Sequence, residues 1–283
     1  MKLRSKKRRK MINVGVLIAS ACSALAGIVA LLAVLFEIVR RGAPALDWDF
    51  FTKATAPPLV EGGGMANALL GTLILVGLAI LFGVPLGILA GVFLSEFGRR
   101  SRLGAMVRFS TNVLMGIPSI IVGLFVYSLL VKPMGSFSGW AGAVALAILM
   151  LPVVTRTTED IISLVPNTLR ESALALGAPR WRVTIGVVFR AAKAGLITGV
   201  LLAVARVSGE TAPLLFTCMN SRFWPQSLSE PFPNLTVTIY DRVMNAGIAG
   251  EAWEQSAWGA CLVIAAAVLS LNIVARVFFR RKA

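Results

Sequence analysis

Long apolar runs dominate the pattern of hydrophobic and polar positions along the 283-residue chain. Six of them suit membrane-spanning helices, because about 20 apolar residues at roughly 1.5 Å each cross about 30 Å of hydrocarbon. They cover residues 12–39, 66–94, 109–131, 140–154, 196–219 and 257–279. The fourth run is the shortest, and we expect its helix to include some of the residues that precede residue 140. The pattern predicts an all-α polytopic membrane protein with six transmembrane helices.

The charged residues are few and unevenly placed. Only 14% of the residues are charged, against roughly 25% in soluble domains, and 57% are apolar. Twenty-one of the 28 basic residues, but only four of the 13 acidic ones, fall in the N-terminal tail, the loops between spans two and three and between spans four and five, and the C-terminal end. Short cytoplasmic loops are enriched in Lys and Arg, so we expect both termini in the cytoplasm. Anionic membrane lipid explains the net charge of +15, and no aromatic-basic pattern indicates nucleic acid.

The residue types exclude most catalytic chemistry. The chain has no histidine, the commonest metal ligand and neutral-pH acid or base. Its three cysteines are an odd number in or beside apolar runs, which gives no disulfide framework. No G-x-x-x-x-G-K-[ST] loop is present to bind nucleotide phosphates. We therefore expect no catalytic residue, no metal and no cofactor, and any ATP hydrolysis would take place on another chain.

The longest predicted cytoplasmic segment, residues 155–193, contains short amphipathic stretches. They are interrupted at Pro166 and again at Gly177 and Pro179, and Gly177 suits a left-handed turn that ends a helix. Basic residues flank Trp181. The spacing fits two interpretations equally, a connector that lies on the membrane surface and a surface that docks a partner.

Part of this segment resembles a motif of a known family. Glu171, Ala173 and Gly177 match the EAA loop of ATP-binding-cassette import permeases, in which Glu-Ala-Ala is followed by three residues and Gly. Ser172 replaces the first Ala, and the second half of the motif is degenerate. The resemblance implies a type I importer permease fold, with Glu171, Ala173 and Gly177 in a coupling helix seated on an ATPase. It also implies two cytoplasmic ATP-binding subunits and a homologous permease subunit that completes a heterodimer.

Three further strings narrow the resemblance. They occupy residues 116–123, 151–159 and 205–215, and they resemble the membrane permease subunit of the high-affinity phosphate importers. The resemblance extends over residues 66 to 279. It implies a multi-pass protein of the bacterial plasma membrane that receives phosphate from an extracytoplasmic binding protein.

The predicted organisation has two parts. Residues 1–40 form a basic cytoplasmic tail and the first transmembrane helix, and residues 66–279 form a permease core with five transmembrane helices. The core includes the cytoplasmic coupling loop 155–193 and an extracytoplasmic loop 220–256. Aromatic residues in the latter predict an interfacial belt or a docking surface for a soluble partner.

One opposed pair of charges lies within a predicted span. Counted from residue 196, Arg206 is about 15 Å along a helix, near the middle of the hydrocarbon layer. Glu210 follows at i+4, so both side chains would share one helix face and neutralise each other. A guanidinium fork matches phosphate oxygens, so we interpret Arg206, Glu210 and Arg156 as the substrate path, with Glu210 releasing Arg206 when the path opens. The alternative is a fixed salt bridge between two helices.

Glycine and proline predict kinks where helices could move. Pro213 has no N–H for the carbonyl of Gly209, so the fifth span should loosen beside the acidic residue. Pro118 and Pro152 should bend the third and fourth spans, although Pro118 could instead serve close helix packing.

These features predict the membrane permease subunit of an ATP-driven phosphate importer, a transporter subunit and not an enzyme. One alternative is a permease of the same fold for sulfate or molybdate. Another is a secondary transporter driven by an ion gradient, which an acidic residue within a span would suit, although no inverted repeat is visible. A third is a membrane scaffold or sensor component.

Overall fold

The structure, a computed structural model, describes residues 3–58, 60 and 62–279, so residues 1 and 2 of the predicted tail lie outside the described residues. Every regular element in this part of the chain is helical. Short helical turns lie at Ala43–Ala45, Trp48–Thr52 and Ala246–Ala249. The main helices, in chain order, are α1 (Leu3–Gly42), α2 (Ala66–Phe97), α3 (Arg102–Gly116), α4 (Ser119–Met134), α5 (Gly139–Ser163), α6 (Asn167–Ala175), α7 (Arg180–Val207), α8 (Ala212–Thr217), α9 (Leu235–Met244) and α10 (Glu251–Phe279).

Five helices, α1, α2, α5, α7 and α10, are each long and apolar enough to cross a membrane. Helices α3 and α4 together meet the same criterion as one broken span, with a bend of 105° between them. If this pair counts once, the structure has the six spans that the apolar runs predict. A helix is suited to this environment because it satisfies its own backbone N–H and C=O groups where water is absent.

The third predicted span, 109–131, is not one straight helix. It contains the second half of α3, the sharp bend and most of α4. Ile117 is extended (φ −75°, ψ 129°), and Pro118 is the N-cap of α4. Proline disfavours a helical conformation in the residue before it and has no N–H for the preceding turn. Pro118 therefore breaks the span, which is a larger effect than the predicted bend.

The fourth and fifth spans differ from their predicted bounds. Helix α5 continues past residue 154 to Ser163 with the buried Pro152 inside it, and α7 begins at Arg180 and ends at Val207. Apolar runs mark only the residues in hydrocarbon, whereas intrahelical hydrogen bonds continue through the polar residues beyond it. The coupling loop predicted at 155–193 is consequently reduced to α6 and the turns beside it.

Close contact between α2 and α5 forms the centre of the bundle. Gly83, Gly87 and Gly91 recur at every fourth position of α2, and all three are buried. A Cβ atom at Gly87 would lie 2.7 Å from the Cβ of Val154, and one at Gly91 would lie 2.5 Å from the Cβ of Thr158. Small residues let helices approach closely in a membrane, where van der Waals contacts drive their association. The glycine face of α2 therefore determines how near α5 can lie.

Helix α1 stands apart from this bundle. Its side chains from residue 11 to residue 36 are all exposed. The helix packs against α10 near its C-terminal end, where Gly42 lies against the backbone of Trp258. The first span is thus attached to the core at one end.

Replacement of Gly87 by Leu should lower the free energy of unfolding by about 1–3 kcal/mol, because the new side chain must displace Val154 from a packed contact. Thermal unfolding of the purified chain in detergent measures the effect. The matched control is Gly77→Leu on the same helix, where an added Cβ meets no atom within 4 Å. Equal losses of stability in the two variants would contradict the assigned contact.

Candidate functional site

The candidate site lies at the end of α7. The helix stops at Val207, and a short turn leads to α8. In this turn the N–H of Gly209 donates to the carbonyl of Arg206 (3.3 Å), and the N–H of Glu210 donates to that of Val207 (3.1 Å). Pro213 occupies the first turn of α8, where its missing N–H removes no intrahelical bond. The prediction of one continuous helix kinked at Gly209 and Pro213 is therefore wrong, because the helix breaks completely.

Arg206 and Glu210 consequently do not share a helix face. Among the described residues, no ion pair joins the two or connects either to another charge. Arg206 is exposed in the last turn of α7, where a cation complements the helix dipole. Glu210 is half-buried, and its carbonyl accepts a hydrogen bond from the hydroxyl of Thr236 (3.0 Å). The predicted pair is absent because residues at i and i+4 meet only on an unbroken helix.

A groove of about 440 Å³ runs between α5 and α7. Leu202 lines it and lies one turn before Arg206, and the i, i+3 and i+4 spacing of the α7 residues places them on the same face as Arg206. Arg206 therefore lies on the groove-lining face of α7, one turn beyond the last lining residue. The lining residues are Thr157 and Ile161 of α5 and Ala194, Gly195, Thr198, Gly199 and Leu202 of α7.

Arg156 precedes a groove residue in α5, but its charge is already partnered. Its Nε lies 3.1 Å from Oδ2 of Asp160, and its Nη1 lies 3.8 Å from Oε2 of Glu159. No hydrogen bond or ion pair in the described ranges brings Arg156 to Arg206 or Glu210. Arg156 is therefore held by two acidic residues of its own helix, and its place in a substrate path stays a prediction.

Helix α6 and the turn that ends it carry the three residues predicted to couple the permease to an ATPase. Glu171 is exposed and Ala173 is half-buried, and no residue of the helix is fully buried. Gly177 has a left-handed backbone (φ +79°), as predicted. Its N–H donates to the carbonyl of Leu174 (2.9 Å), and the N–H of Ala178 donates to that of Ala173 (3.3 Å). These two bonds form the Schellman motif that ends a helix at glycine.

Large apolar side chains are exposed on both sides of α6. Leu164 is 79% exposed, Leu176 is 89% exposed and Trp181 is 58% exposed. We call these three residues the apolar tip. The guanidinium of Arg182 lies 5.2 Å from the ring centroid of Trp181 and gives the tip a basic edge. Exposed apolar residues with a charged rim are typical of an interaction surface.

At the other end of the bundle, a buried amide holds the segment 220–256. Asn67, at the start of α2, donates through Nδ2 to the carbonyl of Arg222 (3.0 Å), with longer contacts to those of Ser221 and Phe223. Its Oδ1 accepts hydrogen bonds from the backbone N–H (3.0 Å) and the hydroxyl (2.9 Å) of Thr55. One side chain therefore connects α2 to two separate loops.

A second buried amide begins α9 in the same segment. Oδ1 of Asn234 accepts from the N–H of Val237 (2.9 Å), and its Nδ2 donates to the carbonyl of Met219 (2.7 Å). Nearby, Arg242 is 5% exposed and lies 5.4 Å from the ring centroid of Trp253. Burial lowers the pKa of Arg242 to about 10, so the group stays charged at neutral pH. The described residues contain no group of side chains able to hold a metal ion.

Comparison with known proteins assigns the chain to a family. The family model described as "Binding-protein-dependent transport system inner membrane component" matches residues 83–282. The chain belongs to this family. Its members are membrane transport components, which confirms the prediction of a transporter subunit instead of an enzyme, embedded in a membrane, with ATP hydrolysis on a partner chain.

Individual relatives match over almost the whole permease. The phosphate transport system permease protein PstA of Yersinia pestis is 45% identical over 100% of this chain and 95% of its own length. The protein of the same name from Haemophilus influenzae is 48% identical over 97% of this chain and 96% of its own length. The resemblance to phosphate permeases in the sequence is thereby confirmed, and the ion-gradient alternative is not favoured.

Solved structures agree on the fold. A bacterial alginate ABC transporter, crystallised with an alginate-bound periplasmic protein, gives a TM-score of 0.65 at 17% identity over 99% of this chain and 98% of the other. The inward-facing methionine transporter MetNI gives 0.59 at 18% identity over 77% and 93%. At these identities the likeness concerns the fold alone, which is the predicted type I importer permease fold.

Three polar residues that organise the permease, Asn67, Arg170 and Asn234, are not among the residues predicted from the sequence. Asn234 stands just before a helix, where Asn is a common N-cap, so its local role had a signal. Asn67 and Arg170 had none, because their partners lie far along the chain: Arg222 is 155 positions from Asn67, and Glu96 is 74 positions from Arg170.

Replacement of Asn67 by Ala should lower the free energy of unfolding by about 1–3 kcal/mol, because buried backbone groups lose their hydrogen-bond partner. It should also speed protease cleavage within residues 220–234 of the solubilised permease. Asn245→Ala is the control, since that amide bonds to Asp241 in the preceding turn and to no other residue within the described ranges. Cleavage at the same rate in both variants would argue against the role of Asn67.

Proposed function

We propose that this permease is the membrane-spanning subunit of an ATP-driven phosphate importer. It forms part of the translocation path and couples that path to a separate cytoplasmic ATPase. The observation that carries the proposal is the 45% and 48% identity to two PstA permeases over almost the full chain. The exposed guanidinium of Arg206 beside the groove supplies a fork of donors that fits a phosphate oxyanion.

In the proposed assembly, partner subunits and lipid cover the surfaces that the chain leaves open. Two ATP-binding subunits bind on the cytoplasmic side, where the apolar tip is exposed, and an extracytoplasmic phosphate-binding protein delivers the substrate. A homologous permease subunit completes the path as a heterodimer along the α5–α7 groove. Lipid covers the exposed face of α1. The distribution of Lys and Arg supports a bacterial plasma membrane protein with both termini in the cytoplasm, a basic first part (1–40) and a core (66–279).

Within the path, Arg206 binds the anion, and its freedom from a carboxylate partner in the described residues leaves it available. Glu210, at the break, limits how long the anion stays. Arg156 binds the anion next, nearer to the cytoplasm, once Glu159 and Asp160 have released the guanidinium of Arg156. The breaks at Gly209 and Pro213 and at Pro118 permit helix movement, whereas Pro152 lies in the packed part of α5.

In coupling, α6 is the element that the ATPase contacts. Glu171 is exposed and available to pair with a basic residue of the ATPase. Ala173 has a small side chain, which allows close approach of the partner. The left-handed turn at Gly177 reverses the chain, so that Leu176 projects from the bundle.

Arg206→Lys should reduce phosphate uptake at least about tenfold in vesicles that contain the complete transporter, because lysine keeps the charge and loses the planar fork. The loss corresponds to about 1.4 kcal/mol of binding to the anion in transit. Arg190→Lys, also exposed on α7 but on a different face, should transport normally.

Competition in the same vesicles tests the choice of oxyanion. Excess sulfate or molybdate should leave phosphate uptake unchanged, and inhibition by either would favour the alternative permease. Normal uptake by the Arg206→Lys variant would exclude bidentate hydrogen bonding of phosphate by this guanidinium.

Leu176→Asp should abolish co-purification of the ATPase subunits, because it places a charge in an apolar docking surface. The permease itself should stay folded, since Leu176 is 89% exposed and supports no internal contact. Leu176→Met, which keeps the surface apolar, should retain the ATPase. Retention of the ATPase by Leu176→Asp would show that the apolar tip rests on lipid instead.

A further inference from the structure

The side chain of Arg170 in α6 joins three helices at one point. Its Nη2 and Nε donate to Oε1 of Glu96, at the end of α2, over 2.7 Å and 3.0 Å. Its Nη2 also donates to the carbonyl of Ile162 in the last turn of α5 (2.9 Å), and its Nη1 donates to that of Val165 just beyond it. α6 therefore contacts the ends of α2 and α5 through one guanidinium.

Every donor of this guanidinium is used. A weaker contact from Nη1 to Asn167 (3.4 Å) completes the set, so that all three nitrogens have oxygen partners. The side chains of Arg170 and Glu96 are only 16% and 12% exposed. Fork-shaped, charge-assisted bonds of this kind fix orientation as well as distance, particularly where water is largely excluded.

Besides this guanidinium, α6 packs against the start of α7, where Ala173 lies against the apolar cluster that includes Val183 and Val188. The helix has no buried residue, and a cavity of about 250 Å³, lined by Arg170 and Glu96 with Leu174 and Arg180, lies beneath it. The carbonyl of Val165 lies just beyond the C-terminal end of α5, where carbonyls lack partners within the helix, and Arg170 supplies its partner. The carbonyl of Ile162 also accepts from the N–H of Val165 (3.2 Å), so Arg170 adds a second bond there and at the same time holds the end of α2.

The contact between Arg170 and Glu96 lies next to the packed helices of the bundle. α2 and α5 are in close contact at Gly87 and Gly91, and α5 meets α7 where Gly199 lies against Thr157. Contacts between packed helices therefore connect α6 through α2 and α5 to α7, the helix that ends at Arg206.

We propose that Arg170 and Glu96 form the mechanical joint that transmits movement of the ATPase from α6 to α2 and α5. They are positioning residues, since neither touches substrate or nucleotide. The inference rests on the proposed function, because it assigns α6 to the ATPase interface. Without the joint, the ATPase still docks and hydrolyses ATP, but the path no longer responds to it.

A purely stabilising pair would behave differently, and a double replacement separates the two roles. Buried ion pairs can often be exchanged for apolar residues of similar volume with little loss of stability, whereas removal of one partner leaves a costly buried charge. Glu96→Leu combined with Arg170→Met removes both charges together. This variant should fold and retain the ATPase while lacking the directional bonds to α2 and α5.

The test measures ATP hydrolysis and phosphate uptake in the same vesicles, with the complete transporter and its binding protein. In the double variant, hydrolysis should continue and the phosphate transported per ATP should fall at least about tenfold. Arg170→Lys, which keeps the charge but cannot reach all the partners, should give an intermediate ratio. The matched control is Asp49→Asn combined with Lys53→Gln, which also removes both charges of an ion pair, but one that is exposed and that bonds to no residue of α6 in the described part of the chain.

The control should keep the wild-type ratio. The proposal is overturned if the double variant also keeps that ratio, or if it loses the ATPase subunits during purification, since the pair would then serve assembly alone. Wild-type vesicles that hydrolyse ATP without taking up phosphate would refute the proposed function. Failure of the joint, in contrast, appears only in the variants.

Discussion

The close approach of α2 and α5 is the contact on which the rest of this permease depends. Lipid gives helices no hydrophobic reason to associate, so their positions follow from van der Waals contact between surfaces that fit. Gly87 and Gly91 provide that fit for α2, and Gly199 does the same for α7, where a Cβ would lie 2.3 Å from Cγ2 of Thr157. The position of Arg206 is therefore determined by two glycine contacts in series, with α5 between them.

The sequence was informative where structure follows from consecutive residues. All six spans could be located from apolar runs, and the turn at Gly177 from one glycine, because burial in hydrocarbon and left-handed backbone both leave local marks. Helix ends were placed wrongly because α5 continues through polar residues to Ser163. The contacts of Arg170 and Asn67 could not be predicted, since their partners are adjacent only in the folded chain.

Arg206 is one of several arginines that have no carboxylate partner among the described residues, and it lies near the middle of a span predicted from the sequence. Arg108, Arg156 and Arg170 each lie against a carboxylate at the predicted cytoplasmic edge, so the charges of these three arginines are paired in the structure. Arg206 has no such partner within the described ranges, although a lone charge near hydrocarbon is costly. A cost of this kind is tolerated when a ligand or water meets the charge. An Arg206 without a carboxylate partner thus suits the passage of an anion better than an Arg206 paired with Glu210 would.

The break between α7 and α8 leads to the same conclusion from the backbone alone. Spacing misled the sequence analysis here because the i, i+4 rule assumes an unbroken helix, and Gly209 with Pro213 ends it. Non-helical backbone at membrane depth persists only where it is buried in protein or lines a water-filled cavity. The N–H groups of Gly209 and Glu210 bond within the turn, and the carbonyl of Glu210 accepts from Thr236, so protein satisfies part of this backbone. Gly209 is exposed and Glu210 is half-buried in the single subunit, which leaves this side of the turn free to line the path that the proposed second subunit completes.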